Sequence, residues 1–520
     1  MSFLKKTATV GGITLLSRVF GFARDVLMAA GLGAGLAADA FVIAFKLPNF
    51  FRRLFAEGAF SAGFVPLYTE ALTKEKNGDA GSSARQFAET VLSWFIPVLL
   101  VFLIIMEVGM AGVVDGLTGG FDGDEDKRQL TITLSRITFP YLVMISLVAL
   151  FAGILNAHKR FAAAAFAPVL LNICMITALL LAPPIEKKTA LYLAYGVAIA
   201  GVVQFIWLAI ALARAGIRLV PRLPKPSADM GRLMRIVTPA ALGAAVIQVN
   251  LLVDILLAAR FLEEGAVSWL FYADRLTQLT VGVVGVAIST VLLPDLSARF
   301  SQKDRAGIIN ALDRAVRFGL VIALPAALGL IVISDPIITT LFGRGAFTES
   351  VASATAAALR AYALGLPAYI LVKCLTPAFF ADQDTKTPVQ IAIVAMVVNI
   401  AANLALIGPY GHVGLALGTA ISSTLNAVLL AIVLARRGHF AITGPLIRFL
   451  AGILLISLLM ATIVVFVAAA SVDYATGEIS RALRLGGIIA VGGLSFGGLV
   501  LATGLVPLSE IKALVKRSAS

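Results

Sequence analysis

FLAGILLISLLMATIVVFVAAA, from Phe449 to Ala470, contains no charged side chain. At about 1.5 Å per helical residue, such a run crosses the roughly 30 Å hydrocarbon core of a bilayer. A helix that is apolar on every side offers no face to water, so lipid or protein must surround it. Runs of this kind recur from one end of the chain to the other. The 520 residues are 59% hydrophobic and only 14% charged, whereas a soluble domain carries about 25% charged residues. Mean hydropathy is +0.96. The fold class is therefore an all-α polytopic membrane protein.

Charged, Gly and Pro breaks divide the apolar runs into about fourteen transmembrane helices. The candidate over 36–73 is too long for one straight crossing, and Pro48, Gly58 and Pro66 are the places where it can bend or break. Other candidates cover 129–157, 350–381, 387–408, 411–435, 445–470 and 485–507. The short basic N-terminus, Met1 to Lys6, leads into a run holding Arg18, Arg24 and Asp25 with no convincing cleavage site. It reads as an uncleaved first span.

The formal charge of +13 comes from 42 Lys and Arg against 29 Asp and Glu. The bases gather in short loops: Lys159 and Arg160, Arg214 to Arg235, Lys303 and Arg305, Arg436 and Arg437. Placing those loops inside puts both termini in the cytoplasm and leaves the acidic Asp122 to Asp126 loop outside. Lys187 and Lys188 are a local exception. This distribution argues for orientation in a membrane and against nucleic acid as a partner. Cys174 and Cys374 sit in apolar segments as small buried hydrophobes.

Pro140, Lys159 and Asn172 recur as Pro367, Lys386 and Asn399, each 227 residues later. That offset spans an even number of helices, so both copies share one orientation, as in a parallel repeat. The expected architecture is two parallel six-helix repeats, 1–220 and 228–440, followed by a C-terminal helix pair in 441–520. Two repeated bundles suit alternating access, and they point to a transporter.

Bases also fall within the spans: Arg18, Arg24, Lys46, Arg52, Arg53, Arg136, Arg275, Arg360 and Lys373. A charge at the bilayer centre costs about 2.5–3.5 kcal/mol on insertion scales, so each needs a partner or a wet cavity. Arg18 and Asp25 share a helical face, with Arg24 beside them. Asp39, Lys46 and Arg53 repeat every seven residues, and Glu57 follows Arg53 by four. Asp274 adjoins Arg275, and Lys373 lies deep in its span. One reading is a set of ion pairs that hold helices together. The other is a cationic cavity in which Arg18, Arg24, Arg52 and Arg275 bind a diphosphate, since guanidinium stays charged and donates bidentate bonds. Asp254, Asn399, Asn403 and Thr419 form a second polar group, readable as a Na⁺ site or as interhelical packing. No P-loop and no HExxH occurs, and His158, His412 and His439 do not cluster. An enzyme is not indicated.

The first seventy residues are more specific. Ser17-Arg18-Val19-Phe20-Gly21-Phe22-Ala23-Arg24-Asp25, Asp39-Ala40-Phe41, Phe45-Lys46-Leu47-Pro48-Asn49, Arg52-Arg53 and Phe55-Ala56-Glu57-Gly58-Ala59-Phe60 resemble the opening of the MurJ (MviN) family of lipid II flippases. Thr138-Phe139-Pro140-Tyr141, Ala165-Phe166-Ala167-Pro168, Tyr272-Ala273-Asp274-Arg275-Leu276 and Asp384-Thr385-Lys386-Thr387-Pro388 extend the likeness over the chain.

The resemblance implies an inner-membrane flippase of the multidrug/oligosaccharidyl-lipid/polysaccharide exporter superfamily. Its substrate would be lipid II, the undecaprenyl-diphosphate-linked peptidoglycan precursor, and membrane lipids would surround it. It implies substrate contacts from Arg18, Arg24, Arg52 and Arg275. Gating or pairing contacts would come from Asp25, Asp39, Lys46, Arg53, Glu57, Asp274 and Lys373. The last two helices would hold the polyprenyl tail, and Na⁺ would bind near Asp254, Asn399 and Thr419. Asn403 stands where some members carry an acid. An exporter of another polyprenyl-linked glycan and a drug or ion antiporter are the alternatives.

Overall fold

Long apolar runs separated by short polar turns fold as helices, because inside a bilayer the backbone must satisfy its own hydrogen bonds. The computed structural model describes residues 3–53, 59–77, 83–225, 227–471 and 477–505, and these contain α-helices and no strand. They form two compact units. The first holds residues 1–268 with 345–347, and the second holds 269–344 with 348–520.

The first unit contains α1 (Phe3–Leu32), α2 (Leu36–Arg52), α3 (Ala59–Lys76), α4 (Ala84–Thr118), α5 (Glu125–Thr138), α6 (Tyr141–Ala157), α7 (Phe161–Leu181), α8 (Glu186–Arg214) and α9 (Ala228–Phe261). Helix α7 lies between α1 and α8, α2 packs on α5, and α3 packs on α9. Small residues allow the close approaches. A Cβ on Gly196 would come within 2.8 Å of the Ala178 Cβ, so α7 and α8 meet backbone to backbone there. An aromatic stack of Phe60, Phe64, Phe87 and Phe95, with centroids 4.6–5.6 Å apart, ties α3 to α4.

The second unit contains most of α10 (Ala266–Ser301), then α11 (Arg305–Val332), α12 (Ser334–Phe342), α13 (Glu349–Leu364), α14 (Leu366–Ala381), α15 (Lys386–Arg436), α16 (Gly444–Ala470) and α17 (Glu478–Thr503). Its core joins α11, α14 and α15 through Leu312, Leu320, Ile370, Phe379, Leu430 and Leu434, all buried. Helix α16 lays Ile453 and Ile456 towards α11 and α17 while Leu455 and Phe466 stay exposed, so its outer face is apolar too, unlike that of a water-soluble helix.

Among the described residues, eight helical segments are long and apolar enough to cross a membrane, or nine when α13 and α14, bent by 40°, count as one. The chain is thus a multi-pass membrane protein. The expected break between 408 and 411 is present: Gly411 (φ 54°, ψ −132°) divides α15 into two helical halves. The candidate over 129–157 was read as one span, whereas α5 and α6 are separate helices that meet at Pro140. The expected long segment over 36–73 is two helices, α2 and α3. Pro48 and Pro66 lie inside them, whereas Gly58 falls outside the described residues. The short α12 was not expected from the sequence.

One turn pattern ends helices in both units. After α6, Lys159 N bonds Asn156 O and Arg160 N bonds Leu155 O; after α14, Gln383 N bonds Phe380 O and Asp384 N bonds Phe379 O. The turns after α8, at Gly216, and after α15, at Gly438, share the same pattern. All four are helix C-caps with a left-handed residue. The left-handed residue after α14 is Gln383, and Lys386 begins α15.

Candidate functional site

Two buried charge clusters organise the first unit. In α1, the Arg24 guanidinium donates to Asp25 Oδ1 through Nε (3.0 Å) and Nη2 (2.7 Å), and to Asn172 Oδ1 of α7 through Nη1 (2.9 Å). Asn172 Nδ2 donates in turn to the Ser17 carbonyl at 3.0 Å, and Arg24 lies 5.8 Å from the Phe45 ring centre. Arg24 is 6% exposed and Asp25 4%. The pair is neutral as a whole and joins α1 to α7. In this state Arg24 is fully engaged, as in the ion-pair reading of the sequence.

The second cluster centres on Asp39, one turn into α2 and 1% exposed. Its Oδ2 accepts from Lys127 Nζ (2.9 Å) and Gly265 N (2.8 Å), and its Oδ1 accepts from Ser268 N (2.9 Å) and Ser268 Oγ (2.7 Å). Asp39 therefore caps the start of α10 from another helix, meeting the partial positive charge of its first turn. Glu264 returns the contact, accepting from Leu36 N at the start of α2 (2.7 Å). Ala346 N donates to Ala30 O (2.9 Å) beside them. Gly33 is required here: its φ is +61°, and a Cβ would lie 2.5 Å from Ala346 O.

Lys127 was not foreseen as a site residue, because the sequence places it at the edge of an acidic loop. The structure buries it against Asp39 and 5.0 Å from the Phe121 ring centre. The heptad of Asp39, Lys46 and Arg53 does not pair along α2. A seven-residue rise is about 10 Å, and Asp39 instead pairs 88 residues away. Lys46 is half-buried, and Arg53 is exposed at the end of α2. Glu57 lies outside the described residues.

Arg18 and Arg52 are half-buried in the first unit. Arg275, half-buried in the second, stands 4.6 Å from the Phe271 ring centre, and its neighbour Asp274 accepts from Gln278 Nε2 at 3.3 Å. Lys373 is exposed on α14. Of the residues expected for Na⁺, Asp254 lies on α9, and Asn399, Asn403 and Thr419 lie on α15. Asn403 Nδ2 donates to Asn399 Oδ1 (3.1 Å), and Asn399 Nδ2 reaches Thr419 Oγ1 (3.5 Å) and Ser422 Oγ (3.4 Å). These bonds join the two halves of α15. Among the described residues, no three His, Cys, Asp or Glu side chains gather as a metal site.

Outside the spans, the turn between α14 and α15 is fastened by Asp384. Its carboxylate accepts from Thr387 Oγ1 (2.6 Å), Thr387 N (3.0 Å) and Arg437 Nη2 (2.7 Å). The Thr387 bonds, with Arg437 beside them, hold this carboxyl well below the usual range.

The described residues form an all-helical, multi-pass membrane fold with buried, paired charges. That architecture is shared with an inward-facing multidrug resistance MATE family transporter of the MOP superfamily, at a TM-score of 0.65 and 16% identity over 83% of this chain and 98% of that one. The particular family is narrower. The model of the lipid II flippase MurJ family matches residues 28–483, and the chain belongs to that family. A probable lipid II flippase MurJ of Rhizobium meliloti (strain 1021) is 41% identical over 100% of this chain and 97% of its own length. A solved structure of lipid II flippase MurJ in an inward closed conformation matches at a TM-score of 0.79 and 27% identity, covering 94% of this chain and 97% of that one.

Proposed function

We propose that this chain moves lipid II from the cytoplasmic to the outer leaflet of the bacterial inner membrane by alternating access. Membership of the lipid II flippase family along residues 28–483 is the observation that carries this reading. The proposed topology is fourteen spans with both termini in the cytoplasm, in two six-helix lobes and a C-terminal pair, as the basic loops favour.

The substrate head group carries a diphosphate that must lose water before it crosses. Arg18, Arg24, Arg52 and Arg275 are the proposed donors, because a guanidinium replaces lost water with paired N–H bonds and keeps its charge. Arg24 starts from a neutral pair. Asp25 holds its charge while no phosphate is present, and exchange from Asn172 to a phosphate oxygen would loosen α1 from α7. Asp39 acts in the first turn of α2, across the short connection from α1. Three of its four bonds hold Gly265 and Ser268, at the start of α10, against α2, and their release would free that start. Binding and gating thus both run through α1 and α2.

The reading is tested by binding of lipid II to purified protein in nanodiscs. Replacing Arg18 or Arg52 by Ala should weaken binding at least about tenfold each, since a hydrogen bond to a charged group contributes about 1.5–3 kcal/mol. Unchanged binding in folded variants would remove the clamp.

A further inference from the structure

A basic cluster lies apart from these residues, where α1 begins, α6 turns into α7 and α8 ends. A cavity of about 600 Å³ opens there. Its walls are apolar, with Val10 and Ile13 from α1, Phe161 and Phe166 from α7 and Trp207 from α8; Lys159, Arg160 and Arg214 supply charge. The size falls within the roughly 300–1,000 Å³ of small-ligand sites.

The pocket is built from specific contacts. Trp207 Nε1 donates to the Ala163 carbonyl at 3.0 Å, and the indole packs on Phe166 with centroids 5.4 Å apart. Arg160 Nη1 donates to the Arg214 carbonyl at 3.3 Å, which joins the α6–α7 turn to the end of α8. Arg160 is the N-cap of α7, and no side chain caps that helix. Its first residues, Phe161 to Ala163, line the same cavity and add the positive end of a helix to the three side chains. Lys159 has φ +59°, in the left-handed turn that ends α6.

We propose that this pocket holds an anionic glycerophospholipid, with its phosphate at Lys159, Arg160, Arg214 and the first turn of α7, and an acyl chain along Trp207 and Phe166. The walls favour a lipid over free phosphate, which would leave them unfilled. The bases favour a net negative head group over a zwitterionic one, whose own cation would meet three like charges. Basic pockets between helices at the membrane surface recognise anionic lipids by these terms, and tryptophan favours the same depth.

The test uses Trp207 as its own reporter, in full-length protein carrying Trp94→Phe and Trp269→Phe, which leaves Trp207 as the remaining one of three tryptophans. Nanodiscs contain phosphatidylcholine with a minority of phosphatidylglycerol, and bromine is placed on the acyl chains of one lipid at a time, in equal amount. Brominated phosphatidylglycerol should quench Trp207 more strongly than brominated phosphatidylcholine. Lys159→Gly suits the left-handed turn and should lower that preference about fivefold, as expected for one basic residue at an anionic surface. Adding Arg160→Gln and Arg214→Gln should erase it. Equal quenching by the two lipids in the parent would overturn the proposal. So would an undiminished preference in Lys159→Gly, or displacement of the brominated lipid by stoichiometric undecaprenyl diphosphate, which would assign the pocket to the transported substrate.

Discussion

Replacing Arg24 by Ala should unfold part of the first unit before it reports on transport. The guanidinium makes two bonds to Asp25 and one to Asn172, and both charged partners are almost completely buried. Removing it leaves the Asp25 carboxylate in a low-dielectric site without its partner. Breaking a buried pair from one side costs about 3–5 kcal/mol, and the lost bond to Asn172 adds about 1 kcal/mol. The double variant Arg24→Ala/Asp25→Asn removes both charges and should recover most of the pair term, leaving a deficit near the last figure. The assay is thermal unfolding of purified protein in detergent, together with the amount inserted in the membrane. The single variant should unfold well below the parent, and the double variant close to it. The folded double variant should still fail in transport, because a phosphate donor is missing. Equal stability of single and double variants would refute the buried-pair account. Normal transport by the stable double variant would refute a substrate role for Arg24.

Asp39→Asn keeps the shape but turns an amide N–H₂ towards the Lys127 ammonium or backbone donors; labelling of a cysteine at Ala266, in a chain lacking Cys174 and Cys374, should quicken at least about tenfold, worth 1.4 kcal/mol, and an unchanged rate would count against the cap. Asp384 is more acidic folded than unfolded, so its contribution is fully present above the ordinary carboxylate value near pH 4 and is lost as pH falls through the lower folded value. The stability gap between parent and Asp384→Asn should therefore be constant above about pH 5 and shrink in acid; a gap that widens in acid would reverse the sign.

Much of the fold was legible because a bilayer imposes a coarse rule. A run such as Phe449–Ala470 has one outcome in lipid, and Gly408-Pro409 marked the break at Gly411 through local backbone chemistry, whereas the break at Pro140 was not read. The pairing of charges was less legible. Asp39 and Lys127 are brought together by a loop and a helix far apart in sequence, so a reading along one helix assigned Asp39 the wrong neighbours. Asn172 carried a usable signal as the repeat mate of Asn399, since a buried amide in an apolar span needs a partner. What the signal lacked was direction: α1 packs on α7 only in three dimensions. Lys159 was read as a topological charge, and its left-handed backbone is visible only in the folded turn.

The central claim is that this chain carries lipid II outward, and the most direct measurement is depletion of the protein in its host while outer-leaflet lipid II is scored with an impermeant probe. The account predicts that exposed lipid II falls as the precursor accumulates on the cytoplasmic side. Undiminished exposure with continued wall synthesis, in cells shown to have no other lipid II flippase, would contradict it.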